Sequence, residues 1–378
     1  MALTIPLTIT GNLTVSGSVS AASFNFSGTG AIQIPAGTTA QRPASPVIGD
    51  IRYNSTNGNF EGSPDATRWD PMSQVNTAFT LSASVSLNLL TVSVLNALTG
   101  AAPTPADPVA FTFRDVTLAN GDPVQVLVTA ALSINTNGVG ASLGSSNSTP
   151  FRFWVVAFNN AGTVVLGLIN CSKPTQIYPL NEATLQSSTA ISNSATSAGV
   201  FYTPNGTTIS SKVFKVLGYV EYSAGLTTAG TYGVVPTTIQ LAGPGTKKPG
   251  DVLQEVFAQT SSAQGNTTNS FIASNVTASI TPTSTINLVD VDISAYITTG
   301  ASAIVQGQPR RGTSTNIGVP FNFGTSNNIG NLNVPGSWNI IDSPGVVTAT
   351  SYTLYFNNSN GNNSNVAAGH VRLKEIMG

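Results

Sequence analysis

Residues 151–169 read FRFWVVAFNNAGTVVLGLI. The run from Phe151 to Phe158 and the run from Val164 to Ile169 are built mainly from aromatic and branched residues, which fit a pleated, half-buried backbone. Asn159, Asn160, Ala161 and Gly162 lie between them and form a turn by composition. The stretch predicts a β-hairpin, and the same grammar continues on both sides of it. Apolar residues alternate through much of 79–94. Phe111 and Phe113, and then Val124, Val126 and Val128, flank the turn Ala119-Asn120-Gly121-Asp122. Residues 213–222 alternate again, and Ile239 to Leu241 closes the set. No run of helical period stands out, and residues 180–185 offer one turn at most. Many short strands joined by Gly, Asn and Pro turns predict an all-β chain of antiparallel, jelly-roll-like β-sandwiches.

Composition narrows the function. The chain has 378 residues, enough for two or three domains with cores of their own. Charged residues make up 8%, where about 25% is usual. The formal net charge is −1, and the basic pairs Lys247-Lys248 and Arg310-Arg311 belong to no stripe. Nucleic-acid binding, which needs clustered Lys and Arg, is therefore not expected. Membrane insertion is not expected either, because no apolar run approaches the roughly 20 residues of a spanning helix. With 36 glycines, 22 prolines and 40% hydrophobic residues, the chain is too apolar for a disordered one. The lone Cys171 permits no intrachain disulfide. The opening MALTIPLTIT has no basic segment, so folding in a cytoplasm is expected, with exit by lysis or within a particle.

Residues 1–40 contain no Asp, Glu, Lys or Arg. Leu3, Ile5, Leu7 and Ile9 form one alternating apolar series, and Leu13, Val15 and Val19 form another. Such a one-faced ribbon has nothing in its own segment to bury against. It is expected to wind with identical copies or to dock on another protein; the alternative is an edge strand of the main body. Residues 41–74 then form a coupling module. Ile51-Arg52-Tyr53 and Asn59-Phe60-Glu61 flank Ser55-Thr56-Asn57-Gly58, a hairpin turn. Ile51, Tyr53 and Phe60 are placed on one face as an aromatic core, with Trp69 available to cover it. An isolated hairpin is marginal in water, so the module needs partners.

Arg42-Pro43-Ala44-Ser45-Pro46, Gly49-Asp50-Ile51-Arg52-Tyr53-Asn54, Phe60-Glu61-Gly62 and Trp69 together resemble the hairpin module of bacteriophage tail fibres and other virion appendages. The resemblance covers under a tenth of the chain and brings no catalytic residues. It implies a structural role in a virion. A looser one involves Ser343-Pro344-Gly345, residues 352–356 and residues 371–377, which resemble the closing sheet of phage-fibre tip domains and imply a trimeric sandwich head. On this basis the chain divides into attachment strands (1–40), the coupling module (41–74), a central sandwich (75–258) and a tip sandwich (259–378). Residues 243–251, GPGTKKPGD, mark a plausible boundary, and residues 261–268 read as a polar linker.

No constellation for catalysis emerges. The single histidine, His370, has no triad partners in its final strand and reads as a partly exposed strand residue. One Cys and one His far apart give no metal site. Asp290 and Asp292 share a strand face, but no third carboxylate lies near them in sequence. Glycine-rich stretches such as 138–144 lack a phosphate-loop ending. No catalytic residue, metal or cofactor is therefore expected.

Binding has candidates in Arg310, Arg311 and Trp338. The two arginines fit either receptor contacts or carboxylate partners at a subunit seam, and Trp338 fits either a stacking platform or a core position. The expected partners are two further copies in a homotrimer, other virion proteins through residues 1–40, and a host cell-surface glycan or protein. The expected function is adhesion by a virion fibre. A head fibre or cement protein and a virion glycan hydrolase are the alternatives.

Overall fold

A computed structural model describes residues 34–378 apart from 57–58, 64–65, 67–68, 72–77, 106, 116–122, 138–139, 174, 300–303, 324–331 and 359–362. The described chain is all-β, with a single 3-10 turn at Thr39–Gln41 and mainly antiparallel sheets. No helix among the described residues is long and apolar enough to cross a membrane. The alternating series of residues 1–33 lies outside the described residues.

The coupling module forms as a hairpin, but its inside and outside are reversed from the sequence expectation. Ile51–Asn54 pairs with Asn59–Gly62, and Tyr53 faces Phe60 with ring centroids 5.3 Å apart, edge to face. That face is open, with Ile51 48% and Phe60 49% exposed. The buried face holds Arg52, Asn54 and Glu61. Arg42 Nη2 donates to Glu61 Oε2 at 2.6 Å, Asn54 Nδ2 donates to the same oxygen at 3.0 Å, and Arg52 Nε lies 3.4 Å from Oε1. Burial alone would raise the Glu61 pKa. The hydrogen bonds from Arg42 and Asn54, with the charges of Arg42 and Arg52, outweigh it and hold the carboxyl below the ordinary range. Trp69 covers this polar face rather than the aromatic one. The Arg52 guanidinium lies 5.8 Å from the Trp69 ring centroid, and Trp69 Nε1 donates to the Pro43 carbonyl at 3.4 Å. Ala36–Gly37 adds a parallel strand beside Tyr53 and Asn54, so the last residues of the 1–40 segment belong to this sheet.

The central sandwich is built on the hairpin read first. Phe151–Asn160 pairs with Thr163–Ile169, and Ala161 and Gly162 turn the corner at positive φ. The six-stranded sheet runs in the order Thr189–Ala190, Tyr202–Thr203, Thr163–Ile169, Phe151–Asn160, Phe214–Tyr222, Thr238–Leu241. Phe153, Val155 and Ala157 point to one side. There they pack with Leu90, Val92, Phe111 and Ile134 of the facing strands Leu89–Asn96, Val109–Arg114 and Leu132–Asn135. Trp154, Val156 and Phe158 point to the other side, into a second core with Phe201, Phe214 and Leu180. Both faces of this sheet are therefore dry. The register shifts between Val155 and Val156, opposite Gly218. A Cβ at Gly218 would stand 2.1 Å from the Gln240 carbonyl oxygen, so only glycine fits this bulge. Residues 180–185 contain turns and no helix.

The C-terminal sandwich pairs two further sheets. One has the order Val252–Thr260, Ser364–Ile376, Leu288–Thr299, Leu332–Asp342, with Gln264–Asn266 beside the start of Ser364–Ile376. The other has the order Ile272–Ile280, Thr350–Asn358, Val305–Arg311, Thr315–Asn316. Val291, Ile293, Leu354, Phe356, Val371 and Leu373 fill the space between them. Val252–Thr260 pairs along its length with residues 369–376, so the division at residue 258 is corrected to the 243–251 loop. Residues 264–266, expected to be linker, are strand.

The two sandwiches meet over an ion pair. Arg152 Nη2 donates to Glu221 Oε2 at 2.6 Å, and both residues are buried. Arg152 Nη1 and Trp154 Nε1 donate to the Gly378 carbonyl at 2.7 and 3.2 Å. The Met377 side chain lies in the second core of the central sheet, and its backbone pairs with Gly250 and Asp251.

Candidate functional site

Adhesion needs side chains that are both exposed and held, so the three sequence candidates separate by their surroundings. Arg310 and Arg311 are consecutive on Val305–Arg311 and point to opposite faces. Arg311 turns to the end of the sandwich, where Nη1 lies 3.0 Å from Asp342 Oδ2 and 2.8 Å from the Ser343 carbonyl. The Tyr352 hydroxyl donates to the same carboxylate at 2.8 Å. The Arg311 ion pair is thus closed within one chain. Burial, the nearby Asp342 charge and that hydrogen bond all raise the Tyr352 phenol pKa.

Arg310 faces outward. Its guanidinium carbon lies 4.4 Å from the Tyr355 ring centroid and 5.3 Å from that of Phe271, while Nε donates to Asn316 Oδ1 at 2.9 Å. Two aromatic rings and one amide thus hold the guanidinium in place, and no carboxylate partner is present among the described residues. A flat, fixed cation of this kind can receive a carboxylate or a hydroxyl edge. Gln306 Nε2 donates to Asn322 Oδ1, and Asn357 Nδ2 donates to Gln306 Oε1, extending the polar ridge.

Trp338 is withdrawn as a platform. It is 8% exposed, pairs in register with Ile293 and belongs to the sandwich core. The asparagine-rich loop is only partly described; Asn358 at its edge is buried and donates to Ser364 Oγ at 3.0 Å.

Asp290 and Asp292 do share a face, but Asn339 Nδ2 donates to Asp290 at 3.2 Å, and Lys374 and Arg372 stand beside the two carboxylates in register. This is a ladder of alternating charge. Among the described residues, no group of three or more His, Cys, Asp or Glu could hold a metal. Cys171 is buried, and burial pushes its thiol pKa up, so it is a packing residue rather than a nucleophile.

A second exposed surface was not anticipated. On the outer face of the sheet containing Ser364–Ile376, His370 lies with its ring centroid 5.6 Å from that of Phe257, and Tyr296 stands on the next strand. Phe257 is 52% and Tyr296 59% exposed. In the sequence Tyr296 stands in phase with Asp290, Asp292 and Ser294, and Phe257 in phase with Glu255 and Gln259, so each occupies the polar side of its alternating run, and only the strand order brings the two together.

No protein-family model matches the chain, and no curated protein matches it. Solved structures similar to it include the VP2 subviral particle of infectious bursal disease virus, at 11% identity and a TM-score of 0.28, covering 80% of this chain and 74% of that one. The Gx strain of the same virus matches at 12% identity and a TM-score of 0.28, covering 81% and 75%. The insecticidal delta-endotoxin Cry8Ea1 of Bacillus thuringiensis matches at 10% identity and a TM-score of 0.18, covering 79% and 52%. Scores this low carry no conclusion about function.

Proposed function

We propose that this chain is a structural protein of a bacteriophage virion. In this reading it is a fibre held to the particle through its N-terminal side, and its C-terminal sandwich is turned toward the host surface. The observation that carries the proposal is the one-sided module at residues 36–71. Its polar face is closed by the chain's own Arg42, Arg52, Asn54 and Glu61, while Ile51 and Phe60 remain open on the other face. Val47 and Ile48, in the loop that leads into Ile51–Asn54, are also exposed, at 65% and 69%. Several large apolar side chains left open within one small module fit a surface that another molecule covers. It lies where the charge-free residues 1–33 join the module.

Three copies around one axis would bury these surfaces against each other, and the leader would then engage the particle. Adhesion at the far end gains from three weak contacts acting together. The test is the double variant Ile51→Ser/Phe60→Ser in the full chain. The expected result is a shift from trimer to monomer by mass in solution and loss of incorporation into particles. A wild-type protein that is monomeric at micromolar concentration and still incorporates would overturn the reading.

A further inference from the structure

The outer face of the C-terminal sheet carries a hollow that the functions discussed above do not use. Three consecutive strands each contribute one polar side chain to a single row: Gln259, His370 and Ser294 are paired in register. Neighbouring strands lie about 4.8 Å apart, so the row is a short ladder of hydrogen-bonding groups. Beside it the next row of the sheet has almost no side chain in the middle. Ala368 and Gly369 form the floor there, with Tyr296 on one side and Ser261 on the other. Gly369 alternates to the core side, where a Cβ would stand 2.5 Å from the Ser294 carbonyl oxygen and 2.8 Å from Val276 Cγ2, so glycine lets the strands pack closely there, and the small outward side chain of Ala368 keeps the floor low. The register shifts between Tyr296 and Ile297, immediately past this floor. Bulges of this kind re-aim a side chain, and here the neighbouring Tyr296 stands out from the sheet.

The hollow measures about 530 Å³, within the usual range of about 300–1,000 Å³ for small-ligand sites. Its lining contains no Asp, Glu, Lys or Arg. Hydroxyl, amide and imidazole groups lie along one wall, and a phenol ring forms another. The Phe257 ring extends the apolar side beyond His370, with the Arg372 guanidinium 5.9 Å from its centroid. Three features together decide the ligand class: an aromatic face for C–H groups, neutral donors and acceptors spaced for hydroxyls, and no charge in the floor. A protein partner would need a larger and drier patch. A phosphate or an acidic sugar would need a cation in the hollow.

We propose that this hollow, between Tyr296 and His370, binds a neutral saccharide, with one pyranose face stacked on Tyr296 and its hydroxyls bonded to Gln259, Ser294 and His370. The proposal deepens the adhesive reading and rests on it, naming where the host surface is touched and by which chemistry. Arg310 lies on the opposite sheet of the sandwich and is not part of the hollow.

The test uses the full-length protein on an array of neutral and acidic oligosaccharides, followed by titration of the best-bound neutral glycan. Tyr296→Ala and, separately, Ala368→Leu, which fills the hollow from its floor, should each weaken binding about tenfold or more. Leu98→Ser, at an exposed turn of the central sandwich, should leave it unchanged. Thermal unfolding at the wild-type temperature shows that the variants remain folded. Absence of any neutral glycan, or binding that survives both hollow variants, overturns the proposal. Because neither variant touches residues 34–71, particle incorporation is a separate readout. Loss of glycan binding with normal incorporation confirms the hollow, and failed incorporation of the Ile51/Phe60 variant with intact glycan binding overturns only the fibre reading.

Discussion

The two sandwiches use their main sheets in opposite ways. In the central one, Phe151–Asn160 is buried on both sides, with Phe153 and Val155 facing one core and Trp154 and Val156 facing another. In the C-terminal one, Ser364–Ile376 buries Val371 and Leu373 but leaves Arg372 exposed and His370 and Lys374 half-buried. A sheet that is dry on both faces has nothing left to offer a partner. A sheet with one wet face can hold a binding surface without giving up its core. Under the proposed function, the difference fits support by the first sandwich and presentation by the second.

The strongest way to break this contrast is at the join. Arg152→Ala leaves Glu221 buried without its cation and removes a donor to the Gly378 carbonyl. A loss of about 3–5 kcal/mol is expected by urea unfolding. If support and presentation are mechanically one body, tryptophan fluorescence and amide exchange of residues 288–299 should lose protection together.

Next comes Val156→Ser, on the outer face of the central sheet. It empties part of the second core and buries a hydroxyl, at a cost of about 2–4 kcal/mol in the same assay. The matching change on the outer face of the C-terminal sheet, Phe257→Ser, should stay within about 0.5 kcal/mol. Equal effects would erase the distinction between the two sheets.

An intermediate test uses pH. Glu375 is fully buried at the end of Ser364–Ile376. Burial raises its pKa, but hydrogen bonds from Gln254, Asn287 and both the amide and the hydroxyl of Thr283 outweigh burial and hold the carboxyl below the ordinary range. Its folded value lies under its unfolded one. The stabilisation is therefore complete above the unfolded value of about 4.3 and fades as pH falls through the folded value. Unfolding temperature should drop below about pH 4 in the wild type, and Glu375→Gln should flatten that slope.

Much of the fold was legible because turn chemistry is local. Asn159, Asn160, Ala161 and Gly162 announced their hairpin, and the structure closes it with Ala161 and Gly162 at positive φ. The sequence left Trp338 between platform and core, and its strand Leu332–Asp342, which carries Pro335 and Gly336 inside it, decides for the core. The strand is at the sheet edge, where a missing amide costs little. The module was read with its faces reversed for a different reason. Alternation reveals two faces, but which one is buried was decided by Arg42, nineteen residues before Glu61. Tyr296 and Phe257 were invisible as a pair because only strand order sets them on either side of His370.

The second sandwich is tied to the first at two places. The chain enters it through residues 243–251, and Met377 and Gly378 return to lie against the same loop and under Trp154. One tether would act as a swivel, letting the far body rotate while bound. Two tethers remove that rotation, so a load applied to the outer sheet would reach the central sheet as shear spread over many hydrogen bonds, to be broken together instead of peeled singly.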